Sequence, residues 1–206
     1  MLYLISGAAA AGKTTISRAV ADRLPKLVLL EEDRRPATTG EERLANLELW
    51  IEDALALEAE GKDAVFGSQA PFGEVLASPR AVDLEGIAPC LLDAHDFVRM
   101  DRWVERGVHP EWPIGMDHFC WAAFHRLHAR DPRFEQRVML DRVTERSDWS
   151  RWTDWTADDP RWDVFICDSS TDNPETTIGL VSAWIERVRN EGTPIMRTRR
   201  WWSDGF

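Results

Sequence analysis

Met1-Leu-Tyr-Leu-Ile-Ser-Gly7-Ala-Ala-Ala-Ala-Gly12-Lys13-Thr14-Thr15 is the stretch that decides the fold. Leu2 to Ile5 is a short apolar run that reads as a buried strand, and a helical pattern starts at Thr14. Between them stands Gly-x-x-x-x-Gly-Lys-Thr, a phosphate-binding loop with a strand before it and a helix after it. Gly7 and Gly12 allow the backbone to turn back, so that amides from Ala10, Ala11, Gly12, Lys13, Thr14 and Thr15 face one point. The new helix adds its unsatisfied N–H groups and positive dipole end to that anion hole. Lys13 is placed to reach the β- and γ-phosphates of a nucleotide, and the Thr14 hydroxyl to take a coordination position on Mg²⁺. The competing reading is a small-residue turn that binds nothing, and it needs the whole motif to arise by coincidence. The alanines between the glycines say nothing about the base or the acceptor.

Working outward, 206 residues suit a single domain, 1–206, with a core of its own. Cys90, Cys120 and Cys167 form an odd set without metal spacing. Cys90 and Cys167 lie beside apolar runs and read as buried hydrophobes in a reducing compartment. The loop begins almost at the initiator Met, leaving no room for a signal peptide, and no apolar run approaches membrane-spanning length. The expectation is a cytoplasmic protein without a membrane partner. A net charge of −11 opposes long-range attraction to nucleic acid, so no nucleic-acid partner is expected either. Eleven tryptophans against one tyrosine add core and pocket-wall area.

Along the chain, Thr14 to Leu24 reads as the first helix, stopped by Pro25, and Lys26 to Leu30 as a second strand. Thr39-Gly-Glu-Glu42 has the form of a capping box. Leu44, Leu47, Ile51, Ala54 and Leu55 then trace one helical stripe, with Gly61 at the stop. Asp63 to Phe66 and Ile87 to Leu92 are further strands, separated by a loop at Gly67–Gly73 and a brief helix that Pro79 ends. A helix from Asp96 to Arg106 ends at Gly107. Residues 107–160 are irregular, with helices expected near 117–130 and 132–147 and Asp131-Pro132 as cap and first residue of the second. Trp162 to Cys167 reads as the last strand. Asp172-Asn173-Pro174-Glu175 opens a helix with Ile178, Val181, Ile185 and Val188 on one face, and the Gly192–Phe206 tail has no assignment. This alternation specifies an α/β fold with a parallel sheet, whose ligands bind at the carboxyl ends of the strands.

That rule ranks the polar residues. Asp33, after the second strand, is the candidate to hold and deprotonate an acceptor hydroxyl, with Glu32 as fallback; the bland reading is a solvated turn pairing Arg34 and Arg35. Arg99, Arg102 and Arg106 share a helix face, from which a guanidinium can stabilise phosphoryl charge, although local pairing with Glu105 is equally simple. Ser169 to Pro174, including Thr171, wraps a base or merely caps a helix. Gln69 and Phe72 form an acceptor wall or a plain turn. His125 and His128, with His118, Cys120 and His109 nearby, lack an acidic partner at zinc spacing. Trp149, Trp152 and Trp155 read as core.

Together the Gly7–Thr14 loop, the acidic residue after the second strand, the Asp101-Arg102-Trp-Val-Glu-Arg106-Gly segment and the Asp-Val-Phe-Ile-Cys-Asp-Ser-Ser-Thr-Asp-Asn-Pro run resemble the small P-loop kinases of the nucleoside-monophosphate-kinase superfamily. Shikimate and gluconate kinases and chloramphenicol phosphotransferase are of this type, and bacterial chains called AAA family ATPases are also similar. The likeness covers residues 1–106 and 160–190. It implies a three-layer fold with strand order 2-3-1-4-5, a helical lid carrying Arg102 and Arg106, ATP and Mg²⁺ as cofactors, and Ser169–Pro174 against adenine. It also implies an acceptor pocket between the second strand and the lid, to which Asp33, Arg34, Gln69 and Phe72 are assigned. Two departures stand out. The 107–160 insertion is long for a lid, and the third strand ends in Gly67-Ser68-Gln69 without a carboxylate, leaving Mg²⁺ to Thr14, water and Asp33.

Three functions fit this reading. The first is a small-molecule kinase acting on a nucleoside, sugar or antibiotic-like alcohol, with Asp33 as base and Lys13, Arg102 and Arg106 on the moving phosphate. The second is a nucleotide kinase using Arg34, Arg35 and Arg80 for the acceptor phosphate. The third is a regulatory ATPase or switch; Asn-Lys-x-Asp is absent, and Leu91-Leu92-Asp93 continues Ala-His where Asp-Glu would be needed.

Overall fold

Leu2–Ser6 forms β1, and all five of its residues are buried because it is the central strand of the sheet. A computed structural model describes residues 1–107, 115–140, 147–171 and 173–191. Its sheet adds β2 (Leu27–Glu31), β3 (Asp63–Ser68), β4 (Ile87–Asp93) and β5 (Phe165–Asp168), all parallel, in the order β2-β3-β1-β4-β5. A strand covered on both faces needs no polar alternation, which is why β1 reads as a continuous apolar run. Leu2 and Leu4 enter one core cluster, whereas Tyr3 and Ile5 enter the other.

The helices are α1 (Lys13–Arg23), α2 (Gly40–Ala59), α3 (Phe72–Ala77), α4 (Asp96–Glu105), α5 (Met116–Arg130), the short α6 (Arg137–Leu140) and α7 (Pro174–Glu191). Helices α1 and α7 pack together, and with one face of the sheet they enclose Val20, Val181 and Ile185. Cys90 and Cys167 are buried on this side, as expected. The opposite core joins α2 and α3 to Phe124, Trp149, Trp152, Trp155 and Trp162. Thr39 and Glu42 make the predicted capping box at the start of α2, and Gly61, at φ +69°, turns the chain out of it.

Two expectations change. Asp131 caps the end of α5 and its Oδ1 accepts from the Arg133 N–H at 2.9 Å, so the side chain builds a turn instead of starting a long helix. Only Arg137–Leu140 of the predicted 132–147 helix is helical among the described residues. The last strand begins at Phe165 and not at Trp162, whose indole N–H donates to the His128 and Ala129 carbonyls at 3.2 Å. A buried indole with backbone acceptors within reach of α5 is more stable as a core plug than as a strand residue. Trp152 lies against Gly73, where an added Cβ would fall 2.4 Å from the ring. The described part of the 107–160 insertion thus contributes α5 on β4 and most of the tryptophan core. His109, residues 141–146 of the predicted helix, Asp172 and the Gly192–Phe206 tail lie outside the described residues.

Candidate functional site

The parallel register brings Glu31 level with Gly67, Ser68 with Ser6, and Asp93 with Asp168, so one edge of the sheet collects every strand-end residue singled out above. At its centre the Gly7–Thr14 loop leaves β1. Gly7 has φ +149° and packs so close to β4 that a Cβ would meet the Leu92 carbonyl oxygen at 2.5 Å. Ala10 and Gly12 also have positive φ, 62° and 96°. This curled backbone delivers α1, whose N-cap Gly12 supplies no side-chain cap, leaving its first-turn amides without that partner. Lys13 Nζ donates to the Ala8 carbonyl at 3.0 Å, folded back over the loop. Burial pulls its pKa down to about 8; Glu32 and Asp33 oppose that shift, while Arg106 and Arg99 add to it.

Two cavities border this loop and a third adjoins one of them. One of about 200 Å³ is lined by Lys13, Thr14, Glu31, Glu32, Asp33 and Arg106. A second, of about 490 Å³, has Gly12, Thr15, Arg102, Arg106, Ser169, Thr171 and Pro174 on its wall. The third, of about 330 Å³, runs outward from Glu32, Asp33 and Gln69 to Arg35, Arg43 and Trp50. Arg106 borders the first two, and Glu32, Asp33 and Gln69 border the first and third. Asp33, in a short 3-10 turn after β2, therefore stands at the junction. Glu32 is partly committed, since its Oε2 accepts the Gln69 N–H at 2.8 Å.

The three arginines of α4 separate into distinct jobs. Arg99 is buried and holds the Ala9 carbonyl of the loop at 2.9 Å, Asp96 at 2.9 Å and the His118 carbonyl at 3.2 Å. Arg102 donates to the Ser169 and Thr171 carbonyls at 2.8 and 3.1 Å, tying α4 to the loop after β5. Ser169 in turn donates from its hydroxyl to the Ala11 carbonyl at 2.8 Å. Arg106 is exposed and makes no ion pair among the described residues. Asp93 is bound by Arg126 at 2.6 Å, which also grips Asp96, so this strand-end carboxylate braces α5.

Two assigned acceptor residues lie elsewhere. Phe72 is buried against Trp162, with ring centroids 4.8 Å apart, because the turn at Pro71 sends it into the core. Arg34 is exposed and bonds Glu31 Oε2 at 3.1 Å. Arg43 and Trp50, which line a cavity, carry no motif, and their positions on α2 are the available signal; Trp103, which lines another, sits within the Asp101–Gly107 segment but has no assigned role there. His125 was weighed only as a metal ligand. Among the described residues no cluster suited to a metal is formed by His, Cys, Asp and Glu. Buried beside Trp121, His125 has its pKa lowered to about 3, by burial first and then by Lys13.

No protein-family model matches the chain, and no curated protein does. Solved structures do. A gluconokinase from Sinorhizobium meliloti superposes with a TM-score of 0.56 at 15% identity, covering 92% of this chain and 93% of that one. A sugar kinase from Janibacter sp. gives a TM-score of 0.51 at 18% identity, covering 90% and 94%. The fold is that of the small P-loop kinases, in agreement with the strand order.

Proposed function

We propose that the protein is an ATP-dependent kinase that transfers the terminal phosphoryl group to a hydroxyl of a small molecule. The observation that carries this reading is the junction at Asp33, where the cavity beside Lys13 opens into the one beyond β2. ATP would lay its base between α4 and the Ser169–Pro174 loop and its phosphates on the amides of the Gly7–Thr15 loop. Lys13 and Arg106 would balance the charge on the moving phosphoryl group, and Arg102 would close the nucleoside wall. Asp33 would accept the hydroxyl proton as the acceptor oxygen bonds to the γ-phosphorus and the bond to the ADP oxygen breaks.

The donors around Lys13 suit Mg²⁺: the exposed Thr14 hydroxyl and the Glu32 and Asp33 carboxylates are hard oxygen ligands bordering one cavity. Thr14, with water, would hold the ion, which when bound neutralises phosphate charge, and Asp33 beside it stays free to act as base. The nucleotide-kinase alternative has less support, because Arg34 pairs with Glu31 and Arg80 with Asp83. The test is a screen of alcohols for ATP-dependent mass gain of one phosphate with matching ADP release. Steady ATP hydrolysis indifferent to every alcohol but stimulated by a protein would move the assignment to a regulatory ATPase.

A further inference from the structure

The wall of the 330 Å³ cavity holds two arginines, Arg35 and Arg43, which at first sight make an anion site. Both are already engaged. Arg43 forks through both Nη atoms onto the two oxygens of Glu74, which is 2% exposed and stands outside the cavity lining. Burial works against the Arg43 charge, but Glu74, with help from Glu32, keeps its pKa above the ordinary value. Arg35 pairs with Asp53 at 2.9 Å and sits over Trp50, its Cζ 3.8 Å from the ring centroid. Glu74 and Asp53 thus hold the two guanidinium groups, Glu32 adds its charge near Arg43, and Asp33 stands on the same lining. An incoming carboxylate or phosphate would have to compete with Glu74 for Arg43, leaving one carboxylate buried and unpaired. The floor is apolar, with Leu47, Phe66 and Ala70. Trp50, on the same wall, adds an aromatic face beneath Arg35.

We propose that the acceptor is a non-anionic alcohol with an apolar body, neutral or amine-bearing, and that the paired arginines exclude hydroxy acids and nucleoside monophosphates. This rests on the kinase reading above. Specificity here comes from cations whose charge is already satisfied, so an anion pays its desolvation without a partner in return.

The test compares kcat/KM, in an ATP-coupled assay, for nucleosides, sugar alcohols and amino alcohols against aldonic acids and nucleoside monophosphates. The expected result is phosphorylation confined to the non-anionic set. Glu74→Gln releases Arg43, and Asp53→Asn, at a more exposed position, releases Arg35 with less risk to folding. In either variant that folds, the ratio of acid to neutral turnover should rise about tenfold, the scale of one uncompensated charge contact. Wild-type turnover of acids or monophosphates equal to or above that of neutral alcohols would overturn the proposal and leave the kinase reading intact. An unchanged ratio in folded variants would also overturn it. Phosphorylation of no member of either set, by protein that still binds ATP, would defeat the kinase reading itself.

Discussion

At one end of the cleft Lys13 and Arg106 make no ion pair among the described residues, whereas at the other Arg35 and Arg43 are each held by a carboxylate from outside the cavity. The first arrangement leaves positive charge for a polyanion to claim. The second uses positive charge as scaffold, shaping a wall that is electrically satisfied before any ligand arrives. Residues of the same charge thus act in opposite ways, depending on whether a carboxylate of the protein reaches them first.

The largest blow to this contrast would come from Lys13→Ala, which removes a cation with no ion pair among the described residues. Phosphoryl transfer should fall by about 10³-fold, read as ADP release with a working acceptor. A variant with near-normal rate would place the phosphate charge elsewhere. Next, Asp33→Asn tests the junction: kcat should drop by about 10²- to 10⁴-fold while ATP affinity stays close to wild type. A matching loss of ATP affinity would show Asp33 to be a nucleotide or metal contact instead of the base.

A smaller effect sharpens the nucleotide end. Free Lys13 has a pKa near 8, and bound phosphates favour its charged form, so the complex holds more protons than the free protein. Nucleotide affinity should therefore weaken as pH rises through about 8, by at most tenfold per pH unit. Titrations in buffers of different ionisation enthalpy would reveal the proton uptake, and a flat profile from pH 7 to 9 would contradict it.

The smallest prediction is a control from the aromatic core, away from either cation set. His128 stacks on Phe124 at 5.2 Å, its ring nitrogens lack partners among the described residues, and burial lowers its pKa from 6.5 to about 3. Below pH 6.5 the unfolded chain binds a proton that the folded one refuses, so stability is lost as pH falls from 6.5 toward 3. His128→Phe should reduce that acid slope in urea unfolding, leaving the share that His125 contributes, and leave ATP affinity unchanged.

The loop end of the cleft was largely legible in the sequence because its parts are local: a strand, a loop of fixed spacing and a helix start lie within fifteen consecutive residues. Strand-end ranking then reached Asp33, Gln69, Ser169 and Thr171, all of which line the cavities. The cavity beyond β2 is assembled from residues far apart in the chain. Arg43 on α2 acquires its meaning only from Glu74 on α3, and no periodicity links the two. Phe72 was misplaced for a related reason, since a strand-end loop and a core helix start can share the same few residues. The tryptophans showed the reverse: their bland reading as core was right for Trp149, Trp152 and Trp155.

Isothermal titration of Mg·ATP into the protein at pH 7, where Lys13 is mostly charged, tests the amide-lined cradle most directly. The expected result is saturable heat with one site per chain, weakened at least tenfold in Lys13→Ala. No heat with ATP or any other nucleoside triphosphate would contradict the account at its root.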